Sequence, residues 1–231
     1  MIAQAEFDRY ATQYDEALEQ GISISGESKD YFARGRISWL SAQVSECNAK
    51  IRSVLDYGCG TGTATPHLID LLQVASVTGT DISPESIRVA ATTHQNEPRA
   101  RFFQIDQFQP NGQIDLAYCN GVFHHIPLSE RAGAVNYVYE SLRPGGLFSF
   151  WENNPWNPAT RYVMRQCPFD RDAKTLTPRE ARALLKGAGF EVLRTDYLFI
   201  FPKLLRMFRG LEQHVANLPL GTQYQVLCRK P

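Results

Sequence analysis

The stretch SVLDYGCGTG, residues 53–62, contains the features that decide the fold. A short apolar run occupies residues 53–57 and ends in glycines at positions 58, 60 and 62. Such a run predicts a buried strand, and residues 63–73 beyond the glycines have the pattern of a helix. Glycines let the main chain pass close to a ligand, and the free N–H groups of the following helix favour an anionic one. The stretch therefore predicts a strand, a binding turn and a helix.

Six more strand-like runs follow this unit, and helical patterns separate most of them. The strands are predicted at residues 77–81, 101–106, 114–120, 147–151, 191–201 and 224–230. The helices are predicted at residues 83–94, 129–142, 178–187 and 203–214, with two more at 7–18 and 31–44 before the sheet. This alternation predicts a doubly wound α/β fold with seven strands in a mostly parallel sheet.

The length and composition predict one globular domain. The chain has 231 residues, of which 43% are apolar and 21% charged, and a single α/β domain of this size is common. We interpret residues 1–231 as one domain, with an N-terminal helical cap at 1–50, an α/β core at 51–231 and a helical insertion near 203–215.

The charge balance favours a small substrate over a nucleic acid. Lys plus Arg and Asp plus Glu each number 24, so the broad positive field that nucleic-acid binding requires is missing. Five dispersed cysteines form no C-x-x-C pair, which argues against a zinc site and predicts no metal. The sequence shows neither a basic leader nor a long apolar run, so we expect a cytoplasmic protein without stable membrane insertion. It contains no signal of oligomeric state.

Polar clusters at the ends of the predicted strands indicate one site. In an open parallel sheet, ligands lie beyond the carboxyl ends of the strands. A dinucleotide fingerprint would require a third glycine where this chain has Thr63. Asp81 ends the second strand, where an acid can accept hydrogen bonds from ribose hydroxyls. These residues predict a nucleoside ligand and leave a pyrophosphate undecided. The clusters lie at residues 56–62, 81–83, 106–108, 119–125 and 151–157.

Five motifs in order resemble those of the class I S-adenosylmethionine-dependent methyltransferases. They are LDYGCGTG, TGTDIS, QIDQF, NGVFHHI and LRPGG, and the resemblance spans roughly residues 50–195. It implies S-adenosylmethionine as the cofactor. It also implies that the methionyl part contacts Asp56, Gly58, Cys59, Gly60 and Gly62.

The same resemblance implies roles for the residues at the later strand ends. Asp81 is expected to hold the ribose, Ile82 to pack on the adenine, and Asp106 to accept from its amino group with Gln107 beside it. Asn120 is expected to close its loop on the cofactor. The stretch FDRYATQYD resembles a leading helix that covers the cofactor in many members. It makes Tyr14, and with it Arg36, candidate cofactor contacts, although both residue types also occur in ordinary helix packing.

Two adjacent histidines are candidate catalytic residues. Methyl transfer from a sulfonium depends chiefly on alignment, and a base is needed only if the acceptor is protonated at neutral pH. His124 and His125 follow the fourth strand, and we favour His125 as the base. The alternative is that they pack locally and shape the loop.

The loop after the fifth strand is the candidate acceptor site. The residues expected there are Asn153, Asn154, Trp156 and Asn157, whose amides and indole suit a polar ring or a sugar. Arg161 and Arg165 share one face if their stretch is helical, and could hold a carboxylate or phosphate. The alternatives are a stiff turn and a solvated basic face. The basic, amphipathic stretch 201–215 could be a lid on the sheet or a membrane-surface element.

These observations together favour a methyltransferase that acts on a small polar metabolite, at oxygen. The alternatives are an RNA-modifying methyltransferase, a nicotinamide-dependent oxidoreductase, and a non-catalytic module that keeps the cofactor pocket. Thr63 and the NGVFHHI motif argue against the oxidoreductase, and the neutral charge argues against RNA.

Overall fold

The computed structural model describes residues 25–167 and 173–231. The seven strands are β1 (Ser53–Tyr57), β2 (Ser76–Asp81), β3 (Ala100–Gln104), β4 (Ile114–Asn120), β5 (Leu142–Asn153), β6 (Glu191–Leu198) and β7 (Gln223–Arg229). The α-helices are α1 (Lys29–Glu46), α2 (Thr65–Leu72), α3 (Pro84–Thr93), α4 (Arg131–Ser141), α5 (Pro158–Gln166), α6 (Pro178–Gly187) and α7 (Glu212–Val215), and a 3₁₀ helix spans Lys203–Leu211.

The strands form one sheet in the order β3-β2-β1-β4-β5-β7-β6. Strands β1 to β5 pair in parallel, whereas β7 runs antiparallel to both β5 and β6. The direction in which strands are added to the sheet reverses between β1 and β4. Strands β2 and β3 lie on one side of β1, and the later strands lie on the other side. The prediction of a doubly wound, mostly parallel, seven-stranded sheet is confirmed.

Two apolar cores cover the two faces of the sheet. Successive side chains of a strand point to opposite faces, and in β1 Val54 joins one core while Leu55 joins the other. Helices α1 and α2 pack on the first face, and α4 and α6 on the second. Both faces of the strand are therefore buried, which explains its continuous apolar sequence. The helix residues that make these contacts include Ile37, Leu40, Leu68, Ile69, Val135, Val138, Ala181 and Leu185.

Several predicted elements differ in their bounds from the structure, and the third strand ends at Gln104 instead of residue 106. The sixth strand ends at Leu198 instead of residue 201. The turn Arg143–Gly146, expected before the fifth strand, lies within β5 as an irregularity, where the β4–β5 pairing jumps from Leu142 to Leu147. The predicted helix at 203–214 is mostly a 3₁₀ helix with non-helical backbone angles at Leu205.

The predicted helix at 7–18, and with it Tyr14, lies outside the described residues. Within the described ranges, no helix combines the length and the apolar character needed to cross a membrane.

Candidate active site

A cavity of about 910 Å³ lies at the carboxyl edge of the parallel strands. The turn after β1, the ends of β2 and β4 and the loop after β3 contribute to its wall, as do the first half of α1 and one face of α4. The cavity spans the point where the strand order reverses, which is the expected place for a ligand in an open α/β sheet.

The glycine turn after β1 is held by the end of β2. The N–H of Gly60 donates to Asp81 Oδ2 at 2.9 Å, and Asp81 Oδ1 accepts from the N–H of Ser83 at 2.9 Å. Gly58 has a φ of 72°, and a Cβ there would lie 2.3 Å from Val122 Cγ2. Only glycine fits at this point, because both the backbone angle and the close approach exclude a side chain.

Two buried oxygens in the cavity wall lack a hydrogen-bond partner within the described part of the chain. They are Asp56 Oδ2 and Asn120 Oδ1. Burial and the nearby Asp81 raise the pKa of Asp56 to about 7, and Arg36 opposes this effect. Unpaired buried acceptors are costly and rare in folded proteins. Both oxygens are therefore suited to a ligand that brings hydrogen-bond donors.

Arg36 brings a cation to the opposite wall. It lies on α1 and is buried, and its guanidinium donates to the Tyr118 hydroxyl and to Gln223 Oε1, each at 2.9 Å. Lys29, two turns earlier on the same helix, also lines the cavity. Helix α1 thus faces the acidic strand ends with two positive charges.

The loop after β4 is supported by a buried carboxylate. Glu152 is fully buried in β5 and accepts from the N–H of Phe123 at 2.8 Å and from His124 Nδ1 at 2.6 Å. The ring centroids of His124 and His125 are 4.0 Å apart. Burial and the neighbouring His124 lower the pKa of His125 to about 2. His125 therefore presents a neutral imidazole to the cavity.

The core of the chain matches a known family. Residues 55–148 match a family model described as a methyltransferase domain. This part of the chain is therefore similar to a methyltransferase domain. Among curated relatives, trans-aconitate 2-methyltransferase of Azoarcus sp. (strain BH72) is 30% identical over 60% of this chain and 53% of the relative. The chain thus spans about half the length of that relative.

Other comparisons cover more of the chain. Ubiquinone biosynthesis O-methyltransferase of Psychrobacter cryohalolentis is 27% identical over 86% of this chain and 79% of the relative. A solved methyltransferase from Archaeoglobus fulgidus superposes with a TM-score of 0.61 at 14% identity, over 84% of this chain and 94% of that one. The structural match supports the fold alone.

The cavity wall brings together most of the residues expected to contact the cofactor. Gly62 and Gln107 do not contribute to it. Gly62 packs instead against His94, whose Nε2 lies 3.0 Å from the Gly62 carbonyl oxygen. Gln107 is exposed and bonds to Gln104. The expected residues that line the wall are Arg36, Asp56, Gly58, Cys59, Gly60, Asp81, Ile82, Asp106 and Asn120.

The wall fits S-adenosylmethionine. Its unpaired buried carboxylate and amide oxygens suit the amino group and hydroxyls of the cofactor, and Arg36 suits its carboxylate. When bound, this cofactor supplies an electrophilic methyl group.

Of the two candidate catalytic histidines, His125 lines the cavity. His124 is buried and is held by Glu152 instead. The role expected for His124 as a base is therefore wrong in this geometry: its ring supports the loop.

The expected acceptor loop does not reach the cavity. Asn154 is fully buried, and its side-chain amide donates to the carbonyls of Pro219 and Gly221 at 3.2 and 2.8 Å. Asn157 caps α5 and donates to the carbonyl of Leu220 at 2.8 Å. Both side-chain amides are thus hydrogen-bonded to the main chain of residues 219–221. This corrects the prediction that they bind the acceptor.

The remaining expected acceptor residues lie outside the cavity wall as well. Asn153 faces Gln223 at the sheet edge, Trp156 is half exposed, and Arg161 and Arg165 lie on the exposed face of α5. Helix α5 does place Arg161 and Arg165 on one face, as the prediction required, but this face points to solvent.

Sequence reasoning missed two features of the site. Lys29 was overlooked because a lysine at a helix start carries no ligand signal. Glu152 belongs to the polar cluster expected at residues 151–157, but it is a buried acid at the end of a run of seven buried residues. A charged residue continuing an apolar strand is a signal of a buried partner, here His124.

Proposed function

We propose that the protein transfers a methyl group from S-adenosylmethionine to an oxygen of a small polar metabolite. The observation that carries the proposal is the position of His125 in the wall of the same cavity as Asp56, Asp81 and Asn120. A neutral imidazole can accept a hydrogen bond from a hydroxyl acceptor and does not repel a positively charged sulfonium. The relative named as an O-methyltransferase supports oxygen as the acceptor atom.

The proposed division of labour follows the wall of the cavity. The acidic strand ends and Arg36 would hold the cofactor, while the acceptor would lie between α1 and the loop that carries His125. Lys29 adds positive charge on the acceptor side, which favours an acceptor with a carboxylate. Alignment in a water-poor pocket supplies most of the rate, because the lowered pKa of His125 makes its imidazole a weak base.

Calorimetric titration of the full chain with S-adenosylmethionine, S-adenosylhomocysteine and a nicotinamide dinucleotide tests the cofactor. We expect both sulfur nucleosides to bind and the dinucleotide not to bind. Asp81→Ala should weaken binding by about 1–3 kcal/mol, because a ligand hydroxyl loses its acceptor. Asp70→Asn, an exposed acid on α2, is the control. Binding of the dinucleotide alone would refute the proposal.

The acceptor is tested by methyl-transfer assays across hydroxy acids, phenols and sugars. We expect turnover to fall about tenfold in His125→Asn with an unchanged affinity for S-adenosylhomocysteine, since the imidazole aligns the acceptor by a hydrogen bond. An unchanged turnover would remove His125 from the acceptor site.

A further inference from the structure

The segment between β6 and β7 exposes an unusual number of apolar side chains. Leu204 is 91% exposed and Met207 81% exposed. Scattered exposed apolar residues are normal, whereas a cluster of them marks an interaction surface. The other large apolar side chains exposed in the same segment are Leu205, Phe208, Leu211, Leu218 and Leu220.

The segment Lys203–Leu211 is not one regular helix. Its backbone angles are non-helical at Leu205, which divides it into two short helical pieces. The cations Lys203, Arg206 and Arg209 alternate along the segment with the exposed apolar residues.

Of the three cations, Arg209 is turned toward the protein, whereas Lys203 and Arg206 are exposed. Arg209 Nη2 lies 2.8 Å from Glu27 Oε1. Surface helices of water-soluble domains normally direct their apolar side inward. Here Leu204 and Met207 are almost fully exposed instead.

The exposed segment is anchored to the rest of the protein at both ends. The Glu212 carboxylate accepts from the backbone N–H groups of residues 199, 200 and 201 at 3.0–3.2 Å. Asn154 and Asn157 hold the carbonyls of residues 219–221. Hydrogen bonds thus fix both ends of the segment. Its apolar side chains are therefore exposed in a well-anchored conformation.

The segment lies on the edge of the sheet that carries the cavity. Strand β6 is antiparallel to β7, and β7 is antiparallel to β5, so β6 and β5 end at the same edge. Glu27, which pairs with Arg209, precedes Lys29 of the cavity wall by two residues. The exposed apolar side chains of residues 203–211 therefore lie beside the first turn of α1 and near the cavity.

The combination of charge and apolar surface matches a lipid interface. Residues 199–211, FIFPKLLRMFRGL, contain three cations and no acid. Exposed apolar side chains lie beside the exposed Lys203 and Arg206, and an interfacial segment meets acyl chains with the first and anionic headgroups with the second. We propose that residues 203–211 are a docking surface for an anionic phospholipid bilayer. The surface brings the cavity edge to the membrane.

Vesicle flotation of the purified full chain tests this proposal. We expect the protein to float with vesicles of phosphatidylglycerol and phosphatidylcholine, and far less with phosphatidylcholine alone. The double substitution Leu204→Glu and Met207→Glu should reduce binding at least tenfold, because both side chains are exposed and would carry charge into the interface. Lys50→Glu makes the same change in net charge at an exposed position before β1, on the opposite edge, and should bind like the unchanged protein.

Thermal unfolding checks that the variants are folded. Vesicle binding is measured without the cofactor or the acceptor, so its outcome is separate from that of the proposed function. Failure of the unchanged protein to float with the anionic vesicles would overturn the proposal. Equal flotation with both vesicle types would overturn the anionic lipid as the ligand. Full binding by the double variant would exclude residues 203–211. Binding to an acidic protein that the double variant abolishes, without vesicle binding, would assign the surface to a protein partner and overturn the lipid.

Discussion

At the scale of single residues, buried charges determine the chemistry of the site. Glu152 and Asp56 are both buried carboxyl groups, but they differ in their partners. Glu152 accepts two hydrogen bonds from the loop after β4, whereas one oxygen of Asp56 has no partner in the described ranges. Glu152 therefore stabilises the loop after β4, whereas the unpaired oxygen of Asp56 can accept a hydrogen bond from a ligand.

Glu152→Gln should disturb the loop that carries His125. The amide can replace only one of the two accepting oxygens, and we expect a loss of about 1–3 kcal/mol in the free energy of unfolding. The charge of His124 helps to lower the pKa of His125, so loss of the Glu152 partner should raise the pKa of His125. Nitrogen NMR of the histidine rings measures this shift. Glu191→Gln, exposed at the start of β6, should change neither quantity.

Asp56 should make stability fall as pH rises. The pKa of this carboxyl is raised from 3.8 to about 7, so between these values the unfolded chain ionises while the folded protein keeps its proton. One pKa unit corresponds to about 1.4 kcal/mol, which gives a cost of up to about 4 kcal/mol above pH 7. Asp56→Asn should therefore stabilise the ligand-free protein at pH 8 but not at pH 4 in urea unfolding. Equal effects at both pH values would contradict the raised pKa.

At the scale of elements, capping and glycine placement decide how firmly each helix is held. Helix α6 begins with a capping box in which Thr177 and Glu180 satisfy each other's backbone N–H groups. Helix α4 lacks a side-chain cap at Glu130 and carries Gly133 in its first turn. This weaker helix forms one wall of the cavity.

Gly133→Ala should strengthen α4. A Cβ at this position meets no atom within 4 Å, and alanine is favoured over glycine in a helix by about 1 kcal/mol. Urea unfolding should show a gain of that size. Thr177→Ala should have the opposite sign, a loss of about 1 kcal/mol from the cap of α6. A loss of stability in Gly133→Ala would contradict this prediction.

At the scale of the whole molecule, ligand binding and folding are linked through the cavity between sheet and helices. S-adenosylhomocysteine at 100 times its dissociation constant should add about 2.7 kcal/mol to the free energy of unfolding. For a chain of this size the melting temperature should rise by roughly 5–10 °C. Asp81→Ala at the same ligand concentration should show a smaller rise. An unchanged melting temperature would contradict binding to the folded state.

The sequence was sufficient to predict the sheet because each buried parallel strand must be apolar on both faces. The glycine turn and Asp81 were also predictable, since their chemistry is local. Asn154 and Asn157 were misjudged because their partners, the carbonyls of residues 219–221, are distant in sequence and carry no side-chain signal. Polar residues after a strand can serve the main chain as readily as a ligand, and only the fold distinguishes the two.

The pairing of β6 with β7 separates the chemistry of this protein from its surface. Leu198 and Gln223 are directly paired across the two strands, so the whole excursion at 199–222 begins and ends at one rung of the sheet. Neither β6 nor β7 is a neighbour in the sheet of β1, β2 or β4, which carry the glycine turn, Asp81 and Asn120. A change in the length of residues 199–222 should therefore alter the surface of the protein before it alters the cavity wall.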